Sequence, residues 1–148
     1  MMVVLLVEDN TSEEMLAMRA IEKANIPADV VVARDGQEAL DYLFGSGAIP
    51  RTVSSLPTVA LLDLNLPKIG GLEVLRRIRA DVRTRRLPVV VLTTSKQEAD
   101  LARAYDLGAN AFVCKPIAFD EFARAVNTLL AFWLVVNEVA PPAGAAHV

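Results

Sequence analysis

The chain has 148 residues, 53% of them hydrophobic and 22% charged, with a formal net charge of −3 at pH 7, which suits one globular domain with a sizeable core and leaves little for a second. The acidic balance offers no general attraction for nucleic acid, and the longest apolar run, Leu129 to Val136, is far shorter than the roughly 20 residues that cross a bilayer. Neither nucleic acid nor a membrane is an expected partner, and a cytoplasmic location is expected. The one cysteine, Cys114, excludes an internal disulfide and cannot alone hold a metal; it is expected to fill core.

In chain order, the apolar run Val3–Val7 reads as a strand. A helix follows from Thr11, whose Thr-x-x-Glu pattern with Glu14 predicts a capping box, and the rows Leu16, Ala20, Ala24 and Ala17, Ile21 are expected to supply its inner face. Val30–Ala33 predicts a second strand and Gly36–Phe44 a second helix. The segment GSGAIPRTVSSLP is too rich in Gly, Ser and Pro for either element and predicts an exposed loop. Strands at Val59–Leu62, Val89–Leu92 and Ala111–Val113 alternate with helices at Leu72–Ala80, at Gln97–Leu107 closed by Gly108, and from Phe119 to about Asn137. The domain is expected over residues 1–137, with 138–148, which contains APPAGAAHV, a disordered tail. Apolar strands alternating with amphipathic helices predict an α/β fold, a doubly wound five-stranded parallel sheet covered on both faces.

Polar residues stand at the ends of four of these strands: Glu8 and Asp9 after the first, Asp63 after the third, Thr93 at the fourth and Lys115 after the fifth. In open parallel α/β sheets the carboxyl ends of the strands form the ligand crevice, so these side chains should converge. Three carboxylates in one crevice repel one another unless a cation intervenes, and oxygen donors without His or Cys select a hard ion, with Mg²⁺ fitting best. An Asp beside such an ion can attack a phosphoryl group while a hydroxyl and an ammonium stabilise its oxygens. Asp63, Thr93 and Lys115 supply those parts.

The motifs VEDN, LLDLNLPKIGG, VVVLTTS and FVCKP, in that order, closely resemble the receiver domains of two-component response regulators, over residues 3 to about 130. The resemblance implies a flavodoxin-like receiver fold with strand order 2-1-3-4-5 and Asp63 as the phosphoacceptor. It implies that Glu8, Asp9, Asp63 and the backbone carbonyl of Asn65 hold Mg²⁺, and that Thr93 and Lys115 bind the phosphoryl oxygens. It further implies a switch formed by Thr93 and Phe112, a cis Lys115–Pro116 peptide, and a histidine kinase as phosphoryl donor. The protein would then be a phosphoacceptor that assists its own phosphorylation and dephosphorylation rather than an enzyme. The long loop before LLDLNLPK, the TTS sequence and the late FWLVV resemble the small regulators that accompany bacterial phytochrome kinases, which makes a bacteriophytochrome the expected donor.

Each residue has a plainer reading. Glu8 and Asp9 could cap a helix, Asp63 could start a turn, Thr93 could be a satisfied strand-end hydroxyl, Lys115 a surface charge and Phe112 core; five polar groups at matching strand ends favour the site. Six of the eleven Arg residues lie in Arg76–Arg86, but Glu73 and Asp81 punctuate them as on a solvated helix face. His147, the only histidine, lies in the tail, so the phosphoryl donor must be another molecule. An aspartyl phosphohydrolase would need an Asp-x-Asp nucleophile pair, and Asn65 stands at the second position. A phosphorylation-independent interaction module would be expected to have lost one of the acids or the lysine. In the last helix Phe122, Val126, Leu129 and Trp133 form one stripe, while Phe132, Val135 and Val136 point elsewhere and predict a homodimer interface.

Overall fold

The computed structural model describes residues 2–45 and 56–141. The predicted loop falls almost wholly outside the described residues, as does the tail from residue 142, including His147.

Five strands, β1 (Val3–Val7), β2 (Asp29–Ala33), β3 (Val59–Leu62), β4 (Val89–Thr93) and β5 (Ala111–Cys114), alternate with helices α1 (Thr11–Ala24), α2 (Gly36–Phe44), α3 (Gly71–Ala80), α4 (Glu98–Asp106) and α5 (Phe119–Leu130). The sheet has the order β2-β1-β3-β4-β5, with every neighbouring pair parallel. This is the doubly wound five-stranded architecture expected from the alternation of apolar runs.

The period of two along each strand divides the core. Leu5, Val7, Ala60, Leu62 and Val89 face Leu40, Leu43, Leu75 and Ile78 of α2 and α3. On the opposite face Val4, Leu6, Val59, Leu61, Val90 and Leu92 meet Ala20 and Ile21 of α1 and Phe122, Val126 and Leu130 of α5. Because both faces are buried, the strands carry continuous Val and Leu rather than alternating polar residues.

Helix ends show where local chemistry departs from the predicted boundaries. The cap of α1 is Asn10, not Thr11: its side chain accepts the Glu13 N–H at 3.0 Å and its carbonyl the Glu14 N–H at 2.8 Å, so Thr11 is already inside the helix. Asn is at least as good a cap acceptor as Thr. At α2, Asp35 accepts the Glu38 N–H at 2.7 Å, while Glu38 accepts the Arg34 N–H at 3.0 Å, and Gly45 closes the helix at φ 81°.

The arginine-rich segment is only partly a solvated face. Arg76 and Arg77 pair with Glu73 and Arg83 with Asp81, but Arg79 turns inward. Its guanidinium donates to the carbonyls of Gly108 at 2.9 Å, Leu87 at 2.7 Å and Arg85 at 3.2 Å, and to Asn110 Oδ1 at 2.8 Å. One side chain thereby ties the end of α3 to the approach to β4 and to the α4–β5 turn, where Gly108 at φ 102° has no side chain to obstruct it.

The last helix differs most from expectation. Its α-helical part stops at Leu130, and Ala131–Val136 form a π-helical turn in which the Asn137 N–H reaches the Phe132 carbonyl at 2.7 Å. The buried row is Phe122, Val126, Leu130 and Leu134, with Leu129 and Trp133 packed beside it, rather than the predicted Leu129 and Trp133. Phe132, Val135 and Val136 are 45%, 66% and 67% exposed.

The Glu38 N–H and the Lys68 ammonium, 3.3 Å away, favour ionised Asp35; the backbone hydrogen bond is the larger cause holding its pKa below the ordinary range. Asp35→Ala should lower stability by about 1 kcal/mol at neutral pH. The advantage of Asp35 is complete above its unfolded pKa of about 3.9 and fades as pH falls through the lower folded value. Urea denaturation of both proteins at neutral and acidic pH should show the two curves converging in acid.

Candidate functional site

The site is made where the apolar strands stop. Glu8 continues the line of β1, its N–H donating to the Ala33 carbonyl at 2.9 Å, so its side chain is carried into the interior and is buried. Its Oε2 accepts the Asn10 N–H at 3.2 Å, while Asp9 remains exposed at the mouth. Asp63 leaves β3 with its N–H on the Val7 carbonyl at 3.1 Å and is likewise buried. Helix α3 begins close beneath it: a Cβ on Gly71 would lie 2.3 Å from the Asp63 carbonyl oxygen, so the glycine is what permits the approach.

Thr93 ends β4, fully buried, its hydroxyl accepting the Ser95 N–H at 3.3 Å. Lys115 leaves β5 with its N–H on the Thr93 carbonyl at 2.8 Å. Its ammonium, on a side chain only 8% exposed, pairs with Glu8 and, at 2.7 Å, with Glu13 Oε1, and lies 3.8 Å from Asp63 Oδ2. The predicted Glu8, Asp9, Asp63, Thr93 and Lys115 are therefore gathered at one end of the sheet. Asn65 stands at the rim, exposed, with its N–H 3.5 Å from Asp63 Oδ1.

Burial pushes the Glu8 carboxyl up from 4.5 to about 7; the Asp63 charge acts in the same direction, and Lys115 offsets only part of the rise. Burial also acts to lower the pKa of Lys115, but hydrogen bonds to Glu13 and Glu8 and the charge of Asp63 outweigh it, so the ammonium is held above its ordinary value. One cation thus faces several carboxylates. Glu8, Asp9 and Asp63 each place a carboxylate oxygen within 4.8 Å of the others, and an all-oxygen donor set suits a hard divalent ion that would relieve their repulsion.

Two expectations need correction. Cys114 is exposed, not core, because it ends β5 at the sheet edge, with its Sγ 3.4 Å from the Ser95 carbonyl oxygen. The Lys115–Pro116 peptide is trans, since no cis peptide occurs among the described residues. Trans is the lower-energy form even before proline, by about 0.5–1 kcal/mol, and the lysine reaches the carboxylates without the cis form. Sequence reasoning also missed Glu13. Its signal was modest: an acid in the first turn of a helix that starts at the crevice.

Phe112 is half-buried against a small cluster of Leu64, Val91 and Ala104. That cluster includes the residue after Asp63 and a buried residue of α4.

The sequence profile of the response regulator receiver domain matches residues 4–127. The chain belongs to this family. Over 144 residues the receiver is 44% identical to the probable methanogenesis regulatory protein FilR2 of Methanothrix harundinacea, covering 95% of this chain and 89% of FilR2. The phosphorylated cyanobacterial phytochrome response regulator RcpA superposes with a TM-score of 0.87 at 38% identity, over 95% of this chain and 99% of RcpA. The bacteriophytochrome response regulator AtBRR gives a TM-score of 0.75 at 48% identity, over 93% of this chain and 99% of AtBRR. The receiver is thus similar to phytochrome response regulators, and its relatives are signalling proteins. Among the described residues no helix is long and apolar enough to cross a membrane.

Removing the ammonium leaves Glu8 buried and unpaired. Lys115→Met should destabilise the metal-free receiver by roughly 3 kcal/mol at neutral pH. A carboxyl whose folded pKa is raised from 4.5 to about 7 loses stability as pH rises between those values. Lys115 lowers the Glu8 pKa, so its loss should raise that pKa above about 7, and the variant's thermal midpoint should keep falling above pH 7, where the Glu8 contribution to the wild-type slope fades; parallel curves there would mean that Lys115 does not control the charge on Glu8.

Proposed function

We propose that this receiver acts as a response regulator that accepts a phosphoryl group on Asp63 from a histidine kinase. The observation that carries this reading is the convergence of a buried Asp63 with two further carboxylates, a hydroxyl and a buried ammonium at the carboxyl end of a parallel sheet. A carboxylate oxygen of Asp63 attacks phosphorus, a P–O bond forms, the P–N bond to the donor imidazole breaks, and the electron pair leaves with the imidazole. Glu8, Asp9, Asp63 and the Asn65 carbonyl would hold Mg²⁺, which neutralises charge on the transferring group when bound. Thr93 and Lys115 donate to the phosphoryl oxygens. The same groups assist hydrolysis of the acyl phosphate, so the protein acts as a timed switch rather than a turnover enzyme.

The donor is assigned to the bacteriophytochrome class of kinases on the strength of the likeness to RcpA and AtBRR, and the cytoplasm is the corresponding location. The receiver proper is assigned to residues 1–137, with 138–148 as a tail. When the Thr93 hydroxyl leaves the Ser95 N–H for a phosphoryl oxygen, the space beside it opens to Phe112, which carries the change toward α4.

Acetyl phosphate or a phosphorylated kinase should add one phosphoryl group in Mg²⁺, seen by intact-protein mass spectrometry. Asp63→Asn and excess EDTA should each abolish labelling. Persistent labelling of the variant would move the acceptor elsewhere, and labelling in EDTA would remove the metal from the chemistry.

The exposed Phe132, Val135 and Val136 support a second part of the reading: two copies joined around a two-fold axis through the last helix and the neighbouring α4 and β5 surface. Val139, 47% exposed, extends the same apolar segment. A self-complementary patch of this kind buries itself most simply in an isologous dimer. Light scattering at micromolar concentration should give twice the 16.0 kDa chain mass, and Phe132→Glu with Val136→Glu a folded monomer; a monomeric wild type would contradict the dimer.

A further inference from the structure

The acidic groups proposed to hold the metal do not account for Glu13. It lies in the first turn of α1, where the Asn10 side chain fixes its backbone N–H at 3.0 Å, and its Oε1 is 2.7 Å from the Lys115 ammonium. The adjacent Glu14 is turned away, bonded to the Arg34 guanidinium by two contacts of 3.1 Å. Lys115 therefore has two anchors, an inner one on Glu8 and an outer one on Glu13, and both are nearer than Asp63 Oδ2 at 3.8 Å. That last separation exceeds hydrogen-bond range. An ammonium has three N–H donors, and two are already taken by these carboxylates.

A phosphoryl group on Asp63 needs a donor from this ammonium. With Glu8 committed to a cation, Glu13 is the carboxylate left to retain Lys115. We infer that Glu13 is a positioning residue that tethers Lys115 in the resting site: the third N–H of the ammonium is free among the described residues, but the ammonium is held back from Asp63, so that a phosphoryl group there must draw it away from Glu13. This rests on Asp63 being the phosphoacceptor. The tether makes the phosphorylated state harder to form than in a site with a freely available lysine, and it depends on reach as well as charge. Aspartate at the same position retains the charge but is one methylene too short to hold the contact.

The test uses beryllofluoride, which imitates a phosphoryl group on a carboxylate, titrated in Mg²⁺ into the wild type, Glu13→Gln, Glu13→Asp and the control Glu14→Gln. In parallel, the Lys115 ammonium resonance is followed by ¹H–¹⁵N NMR in the metal-free proteins. Glu13→Gln and Glu13→Asp should bind beryllofluoride about three- to fivefold more tightly, the scale of one partly exposed ion pair, and both should shift the Lys115 resonance. Glu14→Gln should do neither. An Asp variant matching the wild type would show that charge alone matters and overturn the tether, as would unchanged or weaker binding in both Glu13 variants or an unmoved Lys115 resonance. Failure of the wild type to bind beryllofluoride would instead overturn the phosphoacceptor reading, and the tether with it.

Discussion

Among the described residues Lys115 is the one ammonium beside Glu8, Glu13 and Asp63, and its position depends on most of the fold. It leaves β5, while its partners come from β1, α1 and β3. Two unit charges about 4 Å apart interact by about 4 kcal/mol at the effective dielectric of a protein surface, so these contacts are strong enough to matter and brittle enough to demand accurate placement. The sheet order sets the lengths required of the side chains. Neighbouring strands are about 4.8 Å apart, and β4 intervenes between β5 and β3. The central β3 can use the short Asp63, whereas β1 and β5 reach inward with the longer Glu8 and Lys115. A different strand order would leave the same residues unable to meet.

Much of this was legible in the sequence because it follows from two strong signals. Val and Leu runs of strand length mark a parallel sheet buried on both faces, and the polar residue that ends each run marks the crevice. What was illegible depends on contacts between distant segments. Six arginines within eleven positions look alike until Gly108 opens a carbonyl cradle to Arg79 alone. Asn10 and Thr11 are both good caps, and only the entry angle of the chain selects between them. The π turn at Ala131–Val136 leaves no mark in composition. The outer anchor Glu13 reads as an ordinary helix-start acid, favoured there in any case by the helix dipole, so its ion pair to a residue more than a hundred positions away is concealed by a local explanation.

The core is also unevenly invested around the site. The two large apolar clusters pin β1 and β3 and the helices α1, α2, α3 and α5, but α4 contributes a single buried residue, Ala104, to a small cluster with Leu64, Val91 and Phe112. Segments with few buried apolar contacts open and rearrange at the lowest free energy. The loop before α4 is held by the 2.6 Å bond from Ser95 Oγ to Asp100 Oδ2 and by the Ser95 N–H on Thr93. Those are hydrogen bonds that another acceptor could replace. The part of the molecule best placed to answer a change at Asp63 is thus the part least anchored by hydrophobic burial.

The C-terminal segment makes the opposite use of apolar residues. In AFWLVV a regular α-helix would carry the buried row onward at four-residue steps, and Leu134 takes that place, nearly buried. Trp133 packs at the margin of the same core and stacks edge-on against Phe132, ring centroids 5.0 Å apart. Phe132 is thereby braced by its neighbour while remaining open to solvent. A braced aromatic loses little conformational entropy on meeting a partner, whereas a mobile one must first be ordered. The segment therefore closes the core with Leu134 on one side and presents Phe132, Val135 and Val136 on the other as an apolar surface that solvation alone gives no reason to keep exposed.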